Sequence, residues 1–263
     1  MEPARTIAEH IQTLTTAIIA THPTGHRLFL IGGFRYRLLD ASARTSADID
    51  YHWEGDLQRK QSEIIDLLRN RLVPEVKRQF GYDGDVRPAT GPDAESPAVR
   101  IVETAFYRRE QPGSRIEVPI EITSIVRLDP PIVRTKAGTV FLTVSDADMI
   151  ESKVLALLNR RFVRVRDALD LFLFQDALRT DAPQRLSLKL KEVNLPLAEA
   201  AERLEKLQAN RVVHVREMDR LLAEQVSPTV AANLRAAGGG VMIWDSVMRL
   251  LGDIFAKAVE VSS

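Results

Sequence analysis

Two stretches near the start of the chain decide the fold: Leu28-Phe29-Leu30-Ile31-Gly32-Gly33 and Ala47-Asp48-Ile49-Asp50-Tyr51-His52-Trp53. The first is an apolar run that ends at two glycines, and the second is strand-like and carries two acids one residue apart. Side chains at positions i and i+2 of a strand point to the same face. We therefore expect Asp48 and Asp50 to stand side by side, about 7 Å apart. This arrangement favours Mg²⁺, which proteins hold with one or two carboxylates together with substrate phosphates.

The two glycines predict a backbone that an anionic ligand can approach. Without Cβ atoms, the N–H groups of Gly32 and Gly33 can come close to a phosphate. The acids follow this turn at the distance expected when both line one crevice at the ends of neighbouring strands. Paired acids are also typical of an exposed strand edge that stays wet. The glycine turn favours the functional interpretation, a site for nucleotidyl transfer.

A second polar cluster lies in the helical part of the chain. Ser145 begins the Ser-x-x-acid pattern of a helix N-terminus, and apolar residues recur after it at helical spacing. Lys153, Arg160 and Arg164 are 7 and 4 residues apart and form one stripe if the helix runs unbroken. Such cations can neutralise charge on a leaving pyrophosphate. The alternative is a solvated helix face on which Arg164 and Asp167 form an i,i+3 pair.

Together these motifs resemble the AbiEii-type nucleotidyltransferases, a branch of the DNA polymerase β-like superfamily that includes toxins of type IV toxin–antitoxin systems. The glycine pair and Arg44-Thr45-Ser46-Ala47-Asp48-Ile49-Asp50 are similar to the family's G-G and R-x-S-x-D-I-D segments. The segment Ser152-Lys153-Val154-Leu155-Ala156-Leu157-Leu158-Asn159-Arg160-Arg161 is similar to its K-x4-L-x-x-R helix. Arg164-Val165-Arg166-Asp167-Ala168-Leu169-Asp170 is similar to its R-x-K-D-x-x-D segment.

The resemblance implies an α+β fold, in which a polymerase-β-like nucleotidyltransferase core with a mixed sheet is followed by a C-terminal helical domain. Strand patterns stop before Ser145, so we place the core at residues 1–144 and the helical domain at residues 145–263. The implied catalytic residues are Asp48, Asp50, Glu121, Lys153 and Asp167, and the implied metal ligands are Asp48, Asp50 and Glu121. The implied nucleotide-binding residues are Gly32, Gly33, Arg35, Ser46, Lys153, Arg160, Arg161 and Arg164. Family spacing favours Arg161 and helical geometry favours Arg160, so both remain candidates.

The third carboxylate must come from a later strand. Residues 115–123 alternate polar and apolar side chains with period 2, although Pro119 indicates an edge or a bulge. Two acids compete for the role. Glu121, between two isoleucines, is more similar to the family's acid, whereas Glu117 can equally be the solvent-facing partner of Arg115. Glu121 can also accept the proton of an incoming hydroxyl.

One residue departs from the family pattern. The position after the second glycine is usually Ser or Thr, whose hydroxyl helps to hold the donor phosphates, and here it is Phe34. Arg35 and Arg37 can contact phosphate in its place, or they can be surface positions of a short helix from Phe34 to Leu39. The alternative for Phe34 itself is a core position beneath the glycine loop.

The remaining elements follow from hydrophobic periodicity and turn residues. Helices are predicted at about Thr6–Ala20, Leu57–Phe80 and Val241–Ala258. Strands are predicted at about Val99–Tyr107 and Thr139–Leu142, beyond the glycine and aspartate strands and the 115–123 run. The Pro, Gly and Asp residues between Gly81 and Pro97 predict turns and a loop.

Composition restricts the function classes. The 263 residues include no Cys, which excludes disulfides and thiolate metal sites, and the five His residues show no metal-ligand spacing, which argues against a zinc hydrolase. The 36 basic and 36 acidic residues balance, so an RNA acceptor must be bound by local patches. With no apolar run near 18 residues and no signal-like N-terminus, we expect a cytoplasmic protein without a membrane segment.

The leading functional hypothesis is an enzyme of EC 2.7.7 type that uses Mg²⁺, or Mn²⁺, to transfer a nucleotide from an NTP to an acceptor. The resemblance implies an RNA acceptor such as tRNA, action as a toxin, and a cognate antitoxin as partner. Two alternatives remain: a non-catalytic or regulatory interaction module of the same fold, and a nucleotidyltransferase that modifies a small molecule.

Overall fold

The computed structural model describes residues 4–90, 98–160 and 162–262. The chain divides into two compact units. The first comprises Met1–Ile125 and Pro131–Val144, and the second comprises Val126–Pro130 and Ser145–Ser263. The short segment Val126–Pro130 therefore packs with the helices that follow it rather than with the strands on either side.

The described part of the first unit consists of four helices and one sheet. The helices are α1 (Ala4–Thr21), α2 (Gly32–Leu39), α3 (Leu57–Leu67) and α4 (Val73–Phe80). The strands are β1 (Phe29–Ile31), β2 (Ile49–His52), β3 (Asp83–Pro88), β4 (Val99–Arg108), β5 (Gln111–Glu117), β6 (Ile120–Thr123), β7 (Ile132–Lys136) and β8 (Thr139–Thr143).

The sheet has the strand order β3-β4-β6-β2-β1-β8-β7, and β5 also pairs with β4. Strand β2 lies in its middle, antiparallel to β1 and parallel to β6. The sheet is therefore mixed, and the predicted α+β fold is confirmed. Two registers fix the site described below: Ile31 pairs with Asp50, and Asp50 pairs with Glu121.

The predicted long helix from Leu57 to Phe80 is present, but it contains a π-helical turn at Leu68–Leu72 between α3 and α4. Apolar side chains on one face of the helix are buried against the sheet, including Leu68 and Leu72. The helix ends at Gly81, whose φ of 73° is the left-handed conformation that glycine adopts at helix C-termini.

Two strands were not predicted. Strand β3 lies in the segment expected to be a loop, and β7 forms a hairpin with β8 through Ala137 and Gly138, which both have positive φ. In β3 only Val86 is buried, so its side chains give no period-2 signal. Both strands are held by backbone hydrogen bonds to a neighbour, and the side-chain pattern does not encode these bonds.

The predicted strand at residues 115–123 is instead two strands. Strand β5 ends at Glu117 and pairs with β4, and β6 begins at Ile120 and lies between β4 and β2. Pro119, which has no N–H to donate to a ladder, lies at the break. The strands predicted near Val99–Tyr107 and Thr139–Leu142 correspond to β4 and β8.

Phe34 is a core residue. Its side chain is 2% exposed and belongs to the apolar cluster beneath the sheet that also contains Leu30 and Ile49. The structural alternative for Phe34 is therefore the correct one, and Phe34 does not occupy the place of a phosphate-binding hydroxyl at the surface of the glycine turn.

The described part of the second unit is helical. Its helices are α5 (Asp146–Asn159), α6 (Val165–Phe174), α7 (Ala182–Glu192), α8 (Leu197–Ala209), α9 (Arg211–Gln225), α10 (Pro228–Ala236) and α11 (Gly239–Ser262). In the ranges that the structure describes, no helix has both the length and the apolar character needed to span a membrane.

A buried ionic cluster joins α5 to α7. The Nζ atom of Lys189 lies 2.7 Å from Asp148 and 2.9 Å from Glu151, and Arg185 contacts both acids from the next turn of α7. Arg185 also binds Asp129 at 2.9 Å. Because Asp148 accepts hydrogen bonds from backbone N–H groups of the segment Val126–Pro130, the cluster fixes that segment to the helical unit.

Phe34→Ser should destabilise the protein by about 3–5 kcal/mol, by analogy with Phe→Ala in a packed core. Phe162→Ser is the matched control, because Phe162 is 73% exposed and surface substitutions usually stay within about 0.5 kcal/mol. Urea unfolding followed by circular dichroism measures both. Equal stability of the two variants would show that Phe34 is not packed in the core.

The ionic cluster should lose stability in acid. Burial raises the pKa of Asp148, but hydrogen bonds from Lys189 and from the N–H groups of Leu128 and Asp129 outweigh this effect, so the pKa is lowered. A carboxyl group with a lowered folded-state pKa stabilises the fold above its unfolded pKa of about 3.9, and this contribution disappears as the pH falls through the folded value.

Lys189→Met should therefore cost about 3–5 kcal/mol at pH 7, where two buried carboxylates lose a cation, and much less at pH 3. Lys191→Met is the control, because Lys191 is exposed on the same helix. The measurement is the free energy of unfolding in urea at both pH values. A loss that does not depend on pH would contradict the ionic origin of the effect.

Candidate active site

Three carboxylates converge at the ends of the two central strands. Asp48 lies immediately before β2, Asp50 lies within β2, and Glu121 lies opposite Asp50 on the parallel strand β6. One oxygen atom from each group lies within 4.8 Å of the other two. The structure thus brings Glu121 to the two aspartates. The competing acid, Glu117, pairs instead with Arg115 at 2.6 Å on an exposed part of β5.

The turn after β1 needs glycine at both positions. Gly32 has a φ of 75°, and a Cβ atom there would lie 1.8 Å from the Oδ2 atom of Asp50. A Cβ atom on Gly33 would lie 2.3 Å from a guanidinium nitrogen of Arg44 and 2.8 Å from the hydroxyl oxygen of Ser46. The backbone of the turn is thus in direct contact with the side chains that surround the acids.

Helix α2 begins at this turn, and no side chain caps its N-terminus at Ile31. The first N–H groups of a helix have no partner within the helix and attract anions. The backbone of Gly32 and Gly33 can therefore bind phosphate without the hydroxyl that Phe34 replaces.

The loop before β2 carries two further polar groups of the site. The Ser46 hydroxyl donates a hydrogen bond of 2.6 Å to Oδ1 of Asp48, so Ser46 orients a carboxylate rather than only facing a nucleotide. Arg44 is buried beside Gly33 and donates to the carbonyl of Thr45 at 3.0 Å. Arg44 was missing from the predicted site, although the R-x-S-x-D-I-D motif contained it.

Arg35 and Arg37 do not extend from the turn toward solvent as free cations. Arg35 is 1% exposed, and its guanidinium lies 2.6 Å from Asp40. Arg37 donates to the carbonyl of Ser42 at 3.0 Å and lies 3.4 Å from Glu9. The charge of each arginine is therefore compensated within the first unit.

The chemistry of the three carboxylates matches a hard divalent cation. Carboxylate oxygens are the ligands that Mg²⁺, Ca²⁺ and Mn²⁺ prefer, and without such an ion three acids at this distance repel one another. His52, the nearest histidine on the strand, is fully buried. It stacks on Phe29 and accepts a hydrogen bond of 3.1 Å from the N–H of Ile125. His52 therefore helps to stabilise the position of β2.

The predicted nucleotide-binding cations Lys153 and Arg160 of the helical unit belong to a separate ionic cluster. Lys153 is 9% exposed, and its Nζ atom lies 3.0 Å from both Asp167 and Asp170. Arg160 lies 2.6 Å from the other oxygen of Asp167. Burial raises the pKa of Asp167, but the charges of Lys153 and Arg160 outweigh this effect and lower it. The charge of Arg166 also lowers the pKa of Asp167, so three cations act on this carboxylate.

The helix does not run unbroken through Lys153, Arg160 and Arg164, so the condition for a single stripe of cations is not met. Helix α5 ends at Asn159, Arg160 adopts an extended conformation after it, and Arg164 precedes the first turn of α6. The solvated-face alternative is wrong, because Lys153 is buried and Asp167 is held by Lys153 and Arg160. Arg161 lies outside the described residues, so the choice between Arg160 and Arg161 stays open.

This chain is similar to solved structures, and two of them share its fold with a TM-score above 0.5. A Helicobacter pylori protein described as a candidate nucleotidyltransferase aligns over 97% of this chain and 99% of its own, with 15% identity and a TM-score of 0.54. JHP933 from Helicobacter pylori aligns over 100% and 99%, with 15% identity and a TM-score of 0.52. MenT4, a nucleotidyltransferase toxin from Mycobacterium tuberculosis H37Rv, aligns over 72% and 70%, with 16% identity and a TM-score of 0.49.

A comparison with curated proteins finds no match. The model of one protein family, described as nucleotidyl transferase AbiEii toxin of type IV toxin–antitoxin systems, matches residues 14–236. The match covers most of the chain and includes the glycine turn, all three carboxylates and the cluster around Lys153. The chain therefore belongs to the AbiEii nucleotidyltransferase toxin family.

Proposed function

We propose that this toxin nucleotidyltransferase uses Mg²⁺, or Mn²⁺, held by Asp48, Asp50 and Glu121 to transfer a nucleotide from an NTP to RNA. The observation that carries the proposal is the convergence of three carboxylate oxygens within 4.8 Å beside a glycine turn at a helix N-terminus. A module that only binds a partner has no need to hold three acids against their mutual repulsion. The convergence therefore supports catalysis over the interaction-module alternative.

The donor is expected to bind at the glycine turn. The N–H groups at the start of α2 would bind the phosphates, and Gly32 and Gly33 let this turn lie directly against the side chains of Asp50 and Ser46. A divalent metal at the three carboxylates would supply charge neutralisation for the phosphate oxygens. Ser46 holds Asp48 in its orientation through the 2.6 Å hydrogen bond.

The transfer step joins the oxygen of an acceptor hydroxyl to the α-phosphorus of the NTP and breaks the bond from that phosphorus to the pyrophosphate oxygen. Glu121, which is partly exposed, is the proposed base that accepts the hydroxyl proton. The pyrophosphate leaves with its negative charge.

The acceptor and the partner are proposed on the basis of the family. Its toxins belong to type IV toxin–antitoxin systems, which supports an antitoxin as the cognate partner. An RNA acceptor such as tRNA accords with transfer to a hydroxyl, and the net charge of zero requires that local arginines rather than a bulk field bind it. Roles of Lys153, Arg160 and Arg164 in nucleotide binding remain part of this proposal, together with Asp167, which positions the first two.

Glu121→Gln should lower nucleotide transfer by at least about 100-fold, because it removes both a charged ligand and the proposed base. Glu117→Gln is the matched control, since it makes the same change at an exposed position of β5, which does not pair with β6, and should leave transfer unchanged. The assay incubates each purified protein with labelled NTPs, Mg²⁺ and total RNA and asks which molecule carries the label. Asp48→Asn and Asp50→Asn should also be inactive.

Equal activity of Glu121→Gln and Glu117→Gln would contradict the role of Glu121. Label on a small molecule or a protein instead of RNA would contradict the proposed acceptor. Full activity after removal of divalent ions with EDTA would contradict the metal requirement.

Lys153→Met should cost about 3–5 kcal/mol in stability, because it leaves Asp167 and Asp170 buried with less positive charge. If Lys153 also contacts the donor, the folded variant should bind NTP more weakly by roughly 1.5–3 kcal/mol. Urea unfolding and calorimetric titration with NTP separate the two effects, and Lys257→Met, at an exposed position of α11, is the control. A loss of stability with unchanged NTP affinity would restrict Lys153 to a structural role.

A further inference from the structure

Helix α1 carries a buried polar side chain that reaches the loop in front of the acids. Gln12 is 3% exposed, and its amide nitrogen donates to the carbonyl oxygens of Ser46 at 2.8 Å and of Ala47 at 3.0 Å. These are the two residues that immediately precede Asp48. One amide group thus uses both of its N–H bonds on adjacent backbone positions.

Asp48 depends on this loop more than the other two acids do. Asp50 and Glu121 lie within strands and are fixed by their registers with neighbouring strands. Asp48 lies outside β2, in the segment between α2 and β2, so no strand pairing sets its position. Its carboxylate is oriented by Ser46, whose own carbonyl is one of the two that Gln12 binds.

The helix that carries Gln12 is firmly anchored. Ile7, Ile11 and Ile19 of α1 belong to the apolar core of the first unit. The neighbouring polar residues Thr15 and Thr16 donate to carbonyls of their own helix, and their hydroxyls therefore add nothing to the loop. Through the two hydrogen bonds of Gln12, the anchored helix α1 holds the backbone that precedes Asp48 in place.

We infer that Gln12 is a positioning residue that places Asp48 for metal binding. The inference rests on the proposed metal site, and it concerns a residue outside the range 14–236 that the family model matches. Loss of a hydrogen-bonding partner behind a metal ligand typically lowers metal affinity by 10–100-fold. Gln12 does not contact Asp48 itself but acts on it through the backbone and Ser46. We expect loss of its hydrogen bonds to lower the metal affinity by the same factor of about 10–100.

The test is titration of the full chain with Mn²⁺, followed by electron paramagnetic resonance of the free ion. Gln12→Met keeps the length of the side chain and removes both donors, so the Kd for Mn²⁺ should rise by about 10–100-fold. Thr15→Val is the matched control, because it removes a buried hydrogen bond from the same helix without touching the loop. Its Kd should equal that of the parent, even if its melting temperature falls.

A second variant keeps the test decisive if Gln12→Met does not fold. Gln12→Leu also removes both donors, adds no charge and is similar in bulk, and it should weaken Mn²⁺ binding as well. Combining Gln12→Met with Ser46→Ala should raise the Kd by less than the product of the single effects, since both act on Asp48. Parental Mn²⁺ affinity in a folded Gln12 variant would overturn the inference. A parent that binds no Mn²⁺ would overturn the metal site first, and the inference with it.

Discussion

The first unit is organised around the repulsion between three carboxylates that the pairing of β2 with β6 brings together. The parallel register places Glu121 opposite Asp50, and Asp48 lies two residues before Asp50 in the chain. Acids this close tolerate one another only when a cation or hydrogen-bond donors compensate them. The Ser46 hydroxyl and the backbone of the glycine turn approach from the side of β1. The fold thus surrounds the three carboxylates with hydrogen-bond donors, and the carboxylate oxygens themselves are suitable ligands for a divalent ion.

The helical unit compensates its buried carboxylates with cations of its own. Lys153 and Arg160 contact Asp167, Lys153 also contacts Asp170, and a second cluster joins α5 to α7 through Arg185 and Lys189. Buried ion pairs of this kind define a geometry more than they add stability, because desolvation offsets most of the attraction. Lys153 is therefore held in one orientation by Asp167 and Asp170.

Phe34 occupies a position of the glycine motif with a buried core side chain, while the geometry of the glycine turn is retained. Phe34 follows the second glycine, and the turn before it has the two glycines that its geometry needs. Backbone N–H groups at the start of α2 are then the remaining donors for phosphate at this turn. The fold itself is shared with a solved Helicobacter pylori structure at 15% identity, so it tolerates extensive change of side chains.

The sequence alone determined the glycine turn, the paired aspartates, most of the helices and the family, because these depend on local spacing and periodicity. Tertiary structure decided the rest. Only strand pairing could select Glu121 over Glu117, since the choice depends on the register between two strands far apart in sequence. Strands β3 and β7 are held by backbone ladders that leave little trace in their side chains. The contact from Gln12 to the loop before Asp48 joins elements that have no common sequence pattern, and it exists only because the core packs α1 against that loop.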